Sequence, residues 1–423
     1  MKRNITACGA AIVCLSWLAF RPAHGQVEWT VLAYLSGDSE LEEEAARYVS
    51  KLRSVPSCDD VEIVVQIDRR AGGYDGWGDF EQARRYVVTS EGGGRPRRLR
   101  RSGWSREVNM GSPTTLQDFL VWGMGKHPAD RYLLILMGYG DGVRKWRAQP
   151  ELQGFAGGVA SDSSSGGDSL TVAELGEVCE WTSAELGRSL SVVAVDSCFS
   201  ANVDLAYELA GHVDWLLGSP GLLWNGVPWH QVLTVLCEQP AAGAEHVART
   251  AVEAYADQQS GRGETGRGSF IGLHAERGVE LAEALDGLTG RLTGSMDVVW
   301  PAVTKARSEA RDAAKLSDPD ADWFPAMVGL RSFLEHLAVA VDEGQEPELM
   351  ADIRRTVKAV DGMVIGEQDA GPSIFFPPNV ARFPDDYLET SQLAAQTGWG
   401  TFLQSYLAEL DRRMTPSVPV PDE

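Results

Sequence analysis

Cys198 is the residue on which the chemistry of this sequence turns. It follows Ser191-Val-Val-Ala-Val195, a run of small and β-branched residues with no polar alternation, which predicts a strand buried on both faces. Asp196 and Ser197 end the run, and Ser200-Ala-Asn-Val-Asp-Leu-Ala-Tyr-Glu-Leu209 predicts a helix with acids in its first turns. The thiol therefore falls where a strand ends and a helix begins, at the edge where open α/β sheets bind ligands. A helix N-terminus there lowers a thiol pKa and favours the nucleophilic thiolate. Cysteine is also a common core residue, so position alone leaves nucleophile and inert thiol both open. Peptide hydrolysis by a thiol needs, besides the thiolate, a proton donor for the leaving amine and hydrogen-bond donors for the oxyanion. No Cys-x-x-Cys pair or histidine cluster has metal-ligand spacing, so neither metal nor other cofactor is expected.

The surrounding sequence decides between the two readings. Asp-Ser-Cys198-Phe followed by Val203-Asp-Leu-Ala-Tyr-Glu-Leu209 resembles the nucleophile segment of the clostripain-like cysteine peptidases, whose fold is that of caspases, legumains and gingipains. Trp29-Thr-Val-Leu-Ala-Tyr-Leu-Ser-Gly-Asp38 and Val61-Glu-Ile-Val-Val-Gln-Ile-Asp68 are similar to that family's first two strands. Glu107-Val-Asn-Met-Gly111 and Asp168-Ser-Leu-Thr-Val-Ala-Glu-Leu175 resemble its next two helix approaches. Ser373-Ile-Phe-Phe-Pro377 and Thr397-Gly-Trp-Gly-Thr-Phe-Leu403 continue the likeness to the C-terminal region. The resemblance implies a cysteine-peptidase fold over roughly residues 29–410, with the backbone N–H groups of Cys198 and Gly140 as oxyanion donors.

One position departs from the family. Its histidine stands in an Asn-His-Gly-x-Gly-like turn after a strand. Here the strand Tyr132-Leu-Leu-Ile-Leu136 is followed by Met137-Gly138-Tyr139-Gly140-Asp141-Gly142, with Tyr139 in the histidine's place. A tyrosine, with an ordinary pKa near 10, neither shuttles protons near neutrality nor carries the charge that steadies a thiolate. General acid–base help is typically worth 10²–10⁴-fold, so the resemblance implies a catalytically impaired, peptide- or protein-binding homologue; an active peptidase with another proton donor is the alternative. His127 precedes its strand and lies roughly 20 Å away at about 3.3 Å per residue, whereas His230 follows the next strand and helix-start loop, from which it could approach the same edge. The family's acidic specificity loop corresponds to residues 218–229, which contain no acid; Pro220 and Asn225 stand near the expected acids. Ser219, Leu223, Trp224 and Asn225 are the expected substrate-binding residues, with Leu222, Leu223 and Trp224 forming an apolar pocket unsuited to arginine.

These residues need a scaffold, and the sequence predicts one. Strand patterns over 30–35, 62–67, 85–89, 132–136, 192–195 and 215–217 alternate with helical patterns over 40–52, 115–124, 172–186, 202–210 and 228–237. Such alternation predicts an α/β fold, a mostly parallel sheet with helices on both faces, which the family resemblance implies to be caspase-like. Thr171 and Glu174 have capping-box spacing. Residues 92–106, with Arg97, Arg98, Arg100 and Arg101, read as an exposed basic loop. By resemblance, Arg144-Lys-Trp-Arg147 marks a loop for autolytic cleavage. From about residue 241 the apolar period is near 3.6 over 244–258, 279–292, 330–341 and 350–360. Trp399, Phe402, Leu403 and Tyr406 make one helix face. The expected division is a signal peptide at 1–25, a peptidase-type domain at 26–240, a helical accessory domain at 241–414 and a tail at 415–423.

Composition agrees with export. Lys2 and Arg3 precede an uncharged run from Ile5 to Phe20, and Ala23-His-Gly25 places small residues before Gln26, the pattern of a cleaved secretory signal. An apolar run of about 16 residues is shorter than the ~20 of a membrane span; an uncleaved anchor is the other reading. Net charge is −22, or −25 without the three cations of the first 25 residues. So acidic a chain argues against nucleic acid or anionic lipid as main partner and leaves a peptide or protein ligand. Beyond the first 25 residues stand Cys58, Cys179, Cys198 and Cys237; with Cys198 as the functional thiol, at most one disulfide forms among the rest.

Overall fold

The structure, a computed structural model, describes residues 26–70, 72–89, 97–140, 158–263, 268–310, 326–366, 371–379, 383 and 387–414. The expected signal peptide, the Arg144–Arg147 loop and the tail lie outside these residues. The strands are β1 (Val27–Gly37), β2 (Val61–Arg69), β3 (Ala83–Thr89), β4 (Arg98–Arg106), β5 (Ala129–Met137), β6 (Val159–Asp162), β7 (Asp168–Leu170), β8 (Leu190–Asp196), β9 (Val213–Gly218), β10 (Ile271–His274), β11 (Met327–Gly329), β12 (Val364–Ile365) and β13 (Ser373–Phe375). Nine of them form one sheet in the order β12-β10-β9-β8-β5-β1-β2-β3-β4. The inner five are parallel, and antiparallel strands close both edges.

The apolar runs carry no alternation because both faces of the sheet are covered. Leu32, Tyr34, Leu134, Leu136, Val193 and Val195 point into one core. Val31, Ala33, Leu133, Ile135, Val192 and Ala194 point into the other. Burying each large aliphatic side chain contributes about 1.5–3 kcal/mol. Helices α1 (Glu42–Leu52), α2 (Pro113–Lys126), α3 (Val172–Leu186), α4 (Val203–Glu208), α5 (Trp229–Glu238), α6 (Ala244–Gly261), α7 (Arg277–Gly294) and α8 (Met296–Glu309) share these two cores. The first core takes α2, α3 and α7, and the second takes α1, α5 and α6. Thr171 makes the predicted capping box with Glu174. Among the described residues no helix is long and apolar enough to cross a membrane.

Two readings of the sequence change. Residues 98–106 are the edge strand β4 and no loop, pairing with β3 from Thr89↔Arg98 to Ala83↔Arg106. Arg97 is buried; its guanidinium donates to the carbonyls of Pro56, Val61 and Val88. The second half is helical as expected, including helices Leu330–Ala340, Pro347–Met363 and Trp399–Met414, but it also supplies β10 and β12 to the main sheet. The two halves therefore share one sheet. The Trp399, Phe402 and Tyr406 stripe packs on Phe376 as core.

Cys58 and Cys237 form the one disulfide that the cysteine count allows, joining segments 179 residues apart. Arg97 Nη2 lies 3.3 and 3.4 Å from the two sulfurs. A bridge over so long a loop removes much of the entropy of the unfolded chain. Replacing both cysteines by serine is therefore expected to lower the unfolding free energy by about 2–5 kcal/mol, measured by urea denaturation without reductant. An unchanged transition midpoint would contradict the bridge.

Candidate active site

Strand register brings the two turns together. β5 and β8 run parallel with Met137 opposite Asp196. Tyr139 and Cys198 each lie two residues beyond that pair, so both leave the sheet at the same level on strands about 4.8 Å apart. Gly140 fills the gap between them: a Cβ there would stand 2.5 Å from Ser197 Oγ and 2.7 Å from the Cys198 carbonyl oxygen. A Cβ on Gly138 would stand 2.9 Å from Ala160 Cα, and Gly140 pairs with Val159 of β6. The glycine framework is thus a requirement of close backbone approach.

The nucleophile turn is fixed by polar contacts. Ser200 Oγ donates to the Val195 carbonyl at 2.8 Å and accepts from Ser219 N at 3.1 Å. Phe199 N donates to Gly221 O, Ala201 N to Ser219 O, and Ser373 N to Ala201 O. Asn202 caps α4, accepting from Leu205 N at 2.8 Å, while its amide donates to Phe199 O. Phe199 holds φ 54°, a left-handed conformation that costs about 1–2 kcal/mol in a non-glycine residue. The helix begins five residues past the thiol, at Val203, and is already capped by Asn202. Cys198 Sγ accepts instead from the Leu223 N–H, at 3.3 Å. A backbone donor aimed at sulfur favours the thiolate as a helix terminus does.

Tyr139 is half-buried, and its hydroxyl makes a long contact, 3.4 Å, to Glu40 Oε2. Burial, with Glu40 beside it, pushes its pKa up to about 12. Tyr139 is therefore a neutral phenol near neutrality.

A cleft of about 570 Å³ opens beside Cys198, between α1 and the loop that follows β9. Leu223, Trp224 and Asn225 line it together with Tyr139. Ser219 does not; it is fully buried, and its hydroxyl donates to Gly221 O at 3.0 Å, so it shapes the loop from beneath. Leu222 is also buried, packed into the core on the first face. The loop has no acid, but the end of β8 supplies one: Asp196 lies at the cleft floor, accepting from Trp229 Nε1 at 2.9 Å and Val227 N at 3.3 Å. Tyr48 and Lys51 on the cleft wall were likewise not legible as site residues, because α1 reads only as an amphipathic helix, whereas His230, singled out by its place after the next strand, does line the cleft.

His230 lines the same cleft as the thiol. Tyr139 feels Glu40 and Glu44, at the start of α1, whereas His230 feels Lys51, at its end. Seven helical residues separate Glu44 from Lys51, roughly 10 Å at 1.5 Å per residue. His127 is hydrogen-bonded to Glu62 at the opposite end of the sheet. Cys179 is buried, which pushes its pKa up to about 12 and leaves it inert. Among the described residues no group of His, Cys, Asp or Glu is arranged to hold a metal ion.

Comparison with known proteins gives one consistent result. The family model described as the clostripain family matches residues 33–316. Clostripain of Hathewaya histolytica is 25% identical over 124 residues, which span 28% of this chain and only 23% of that protein. A secreted C11 cysteine protease of Bacteroides thetaiotaomicron, solved with an irreversible peptide inhibitor, superposes with a TM-score of 0.62 at 15% identity, covering 88% of this chain and 99% of that one. An inactive zymogen C11 protease of Parabacteroides distasonis gives 0.61 at 14% identity, covering 90% and 99%. At such identity these two speak to the fold, which is the caspase-like one.

Three buried carboxyls around this region give a pH dependence. Burial raises Asp196 to about 6 and Glu208 to about 7. Burial, with Glu107 and Asp162 nearby, raises Asp68 to about 9. Each binds its proton more tightly folded than unfolded, so its contribution to stability is full below the unfolded carboxyl pKa and is lost as pH rises through the folded value. The melting temperature is expected to fall as pH goes from about 5 to about 9, in a calorimetric series at constant ionic strength. A rise over that range would contradict the assignment.

Proposed function

The chain belongs to the clostripain family, and we propose that within it this protein is an exported member that binds peptides beside Cys198 without efficient turnover. The observation that carries the reading is Tyr139, a neutral, half-buried phenol where the family resemblance puts an imidazole. The thiol keeps its turn, its backbone donor from Leu223, and the close approach of Gly140. The fold and the open cleft are thus those of a peptide-binding site; the missing part is the proton carrier. In this reading Cys198 and Gly140 retain the oxyanion N–H groups, and Leu223, Trp224 and Asn225 contact the ligand. A disulfide fits an oxidising compartment and so supports export. The second reading, an active endopeptidase with another proton donor, draws on His230 in the same cleft; burial and the Lys51 charge lower its pKa, which counts against it as the cation that steadies a thiolate.

Two experiments test the proposal. Purified protein is expected not to cleave arginyl or lysyl reporter peptides; turnover abolished by Cys198→Ala would overturn the reading, and loss of that turnover in His230→Ala would identify the donor. Tyr139→His is expected to lower the pH midpoint of iodoacetamide labelling at Cys198 by at least about one unit, roughly 1.4 kcal/mol, because an imidazolium beside the thiol favours the thiolate. An unchanged midpoint in the folded variant would separate position 139 from the thiol.

A further inference from the structure

The loop that carries Leu223 has no ladder of its own. Residues 219–228 form neither strand nor helix, and Asn225 and Gly226 hold φ 65° and 61°, two successive left-handed residues. Such a backbone keeps one shape only if its polar groups are held from outside. They are held by one face of α6. Tyr255, Gln258, Gln259 and the C-cap Arg262 fall at i, i+3, i+4 and i+7, a single helical stripe, and each meets the loop. The Tyr255 hydroxyl accepts from Trp224 N at 3.2 Å and donates to Trp224 O at 3.1 Å. Gln259 Nε2 donates to the same carbonyl at 2.8 Å, Gln258 Nε2 to Gly226 O at 2.8 Å, and Arg262 Nη1 to Asn225 Oδ1 at 3.2 Å. Tyr255 and Gln259 are 2% and 4% exposed, too buried to exchange these bonds for water. A Cβ on Gly268 would stand 2.8 Å from the Tyr255 hydroxyl, so the chain before β10 closes the space behind it.

The next peptide group toward the thiol is the one this grip directs. Leu223 N, one residue before the held Trp224, donates to Cys198 Sγ at 3.3 Å, and a donor on sulfur favours thiolate over thiol. Resting on the reading of Cys198 as the thiol of a peptide site, we propose that Tyr255 is its positioning residue: by holding both polar groups of Trp224 it fixes the direction of the Leu223 N–H, with Gln259 as the second half of the grip. The hydroxyl suits the task because it donates and accepts at once, which neither phenylalanine nor a carboxylate does. Burial pushes the Tyr255 pKa up to about 12, so the phenol stays protonated throughout the range in which the thiol titrates. Its part is thus to hold a donor in place and not to carry a proton.

The test is the pH dependence of Cys198 alkylation by iodoacetamide on the full chain, followed by intact mass, beside the melting temperature of each variant. Tyr255→Phe is expected to raise the labelling midpoint by about one pH unit. Gln259→Met is expected to raise it by less, because it leaves the Trp224 N–H held. The other titratable groups about the thiol are unchanged in both variants: Tyr139 on the β5 turn, Asp196 on its own strand, Glu44 and Lys51 on α1, and His230 on α5. A purely structural tyrosine would lower the melting temperature and leave the midpoint where it was. Leu223→Pro removes the N–H itself and is expected to raise the midpoint as far, with Tyr255→Phe adding nothing in that background. An unmoved midpoint in folded Tyr255→Phe and Gln259→Met, or effects of Tyr255→Phe and Leu223→Pro that simply add, would overturn the inference. Peptide binding is read separately: a tripeptidyl chloromethyl ketone that alkylates the parent Cys198 no faster than chloroacetamide would overturn the peptide site and leave the role of Tyr255 standing.

Discussion

The parallel pairing of β5 with β8 is the constraint from which the site follows. A register of Met137 on Asp196 leaves equal overhangs, and those overhangs end in Tyr139 and Cys198. A slip of one residue would turn every side chain of a strand to the other face. Because both faces are buried, the two hydrophobic cores hold the register, and through it the separation of the two turns. The chemistry at the edge is thus set by aliphatic side chains that never touch a ligand.

The interior register also explains what the sequence conveys. Strands with uninterrupted β-branched runs are legible because they are buried on both sides; β1, β2, β5, β8 and β9 all coincide with the expected runs. β4 is not legible, since four arginines in a glycine-rich stretch resemble a solvated loop. The edge strand tolerates them because its outer side faces solvent, and Arg97 satisfies its guanidinium on three carbonyls that no sequence pattern reveals. α8 is missed because Pro301 interrupts its period. The short β10 and β12 carry too few residues to show any period.

At the site, side chains were more legible than backbone. Cys198, Tyr139 and Gly140, each singled out in the sequence, stand together at one edge of the sheet. The Leu223 N–H on sulfur has no side-chain signature, since any residue but proline supplies that donor. Ser219 has the right chemistry for a ligand contact but spends its hydroxyl on the loop beneath the cleft. Asp196 read as the end of a strand, which it is; its carboxylate becomes part of the cleft only because Val227 and Trp229 fold back over it.

The disulfide described with the fold has a mechanical consequence. Cys58 follows the end of α1, and Cys237 lies in the last turn of α5. Those two helices carry Tyr48 and Lys51 on one jaw and Trp229 and His230 on the other. The bridge makes the jaws a clip joined covalently at its hinge, with its gape set before a ligand arrives. Such preorganisation spares a bound peptide the entropy of ordering its own receptor, so residence in the cleft depends on the fit of the side chain between the jaws rather than on their closing.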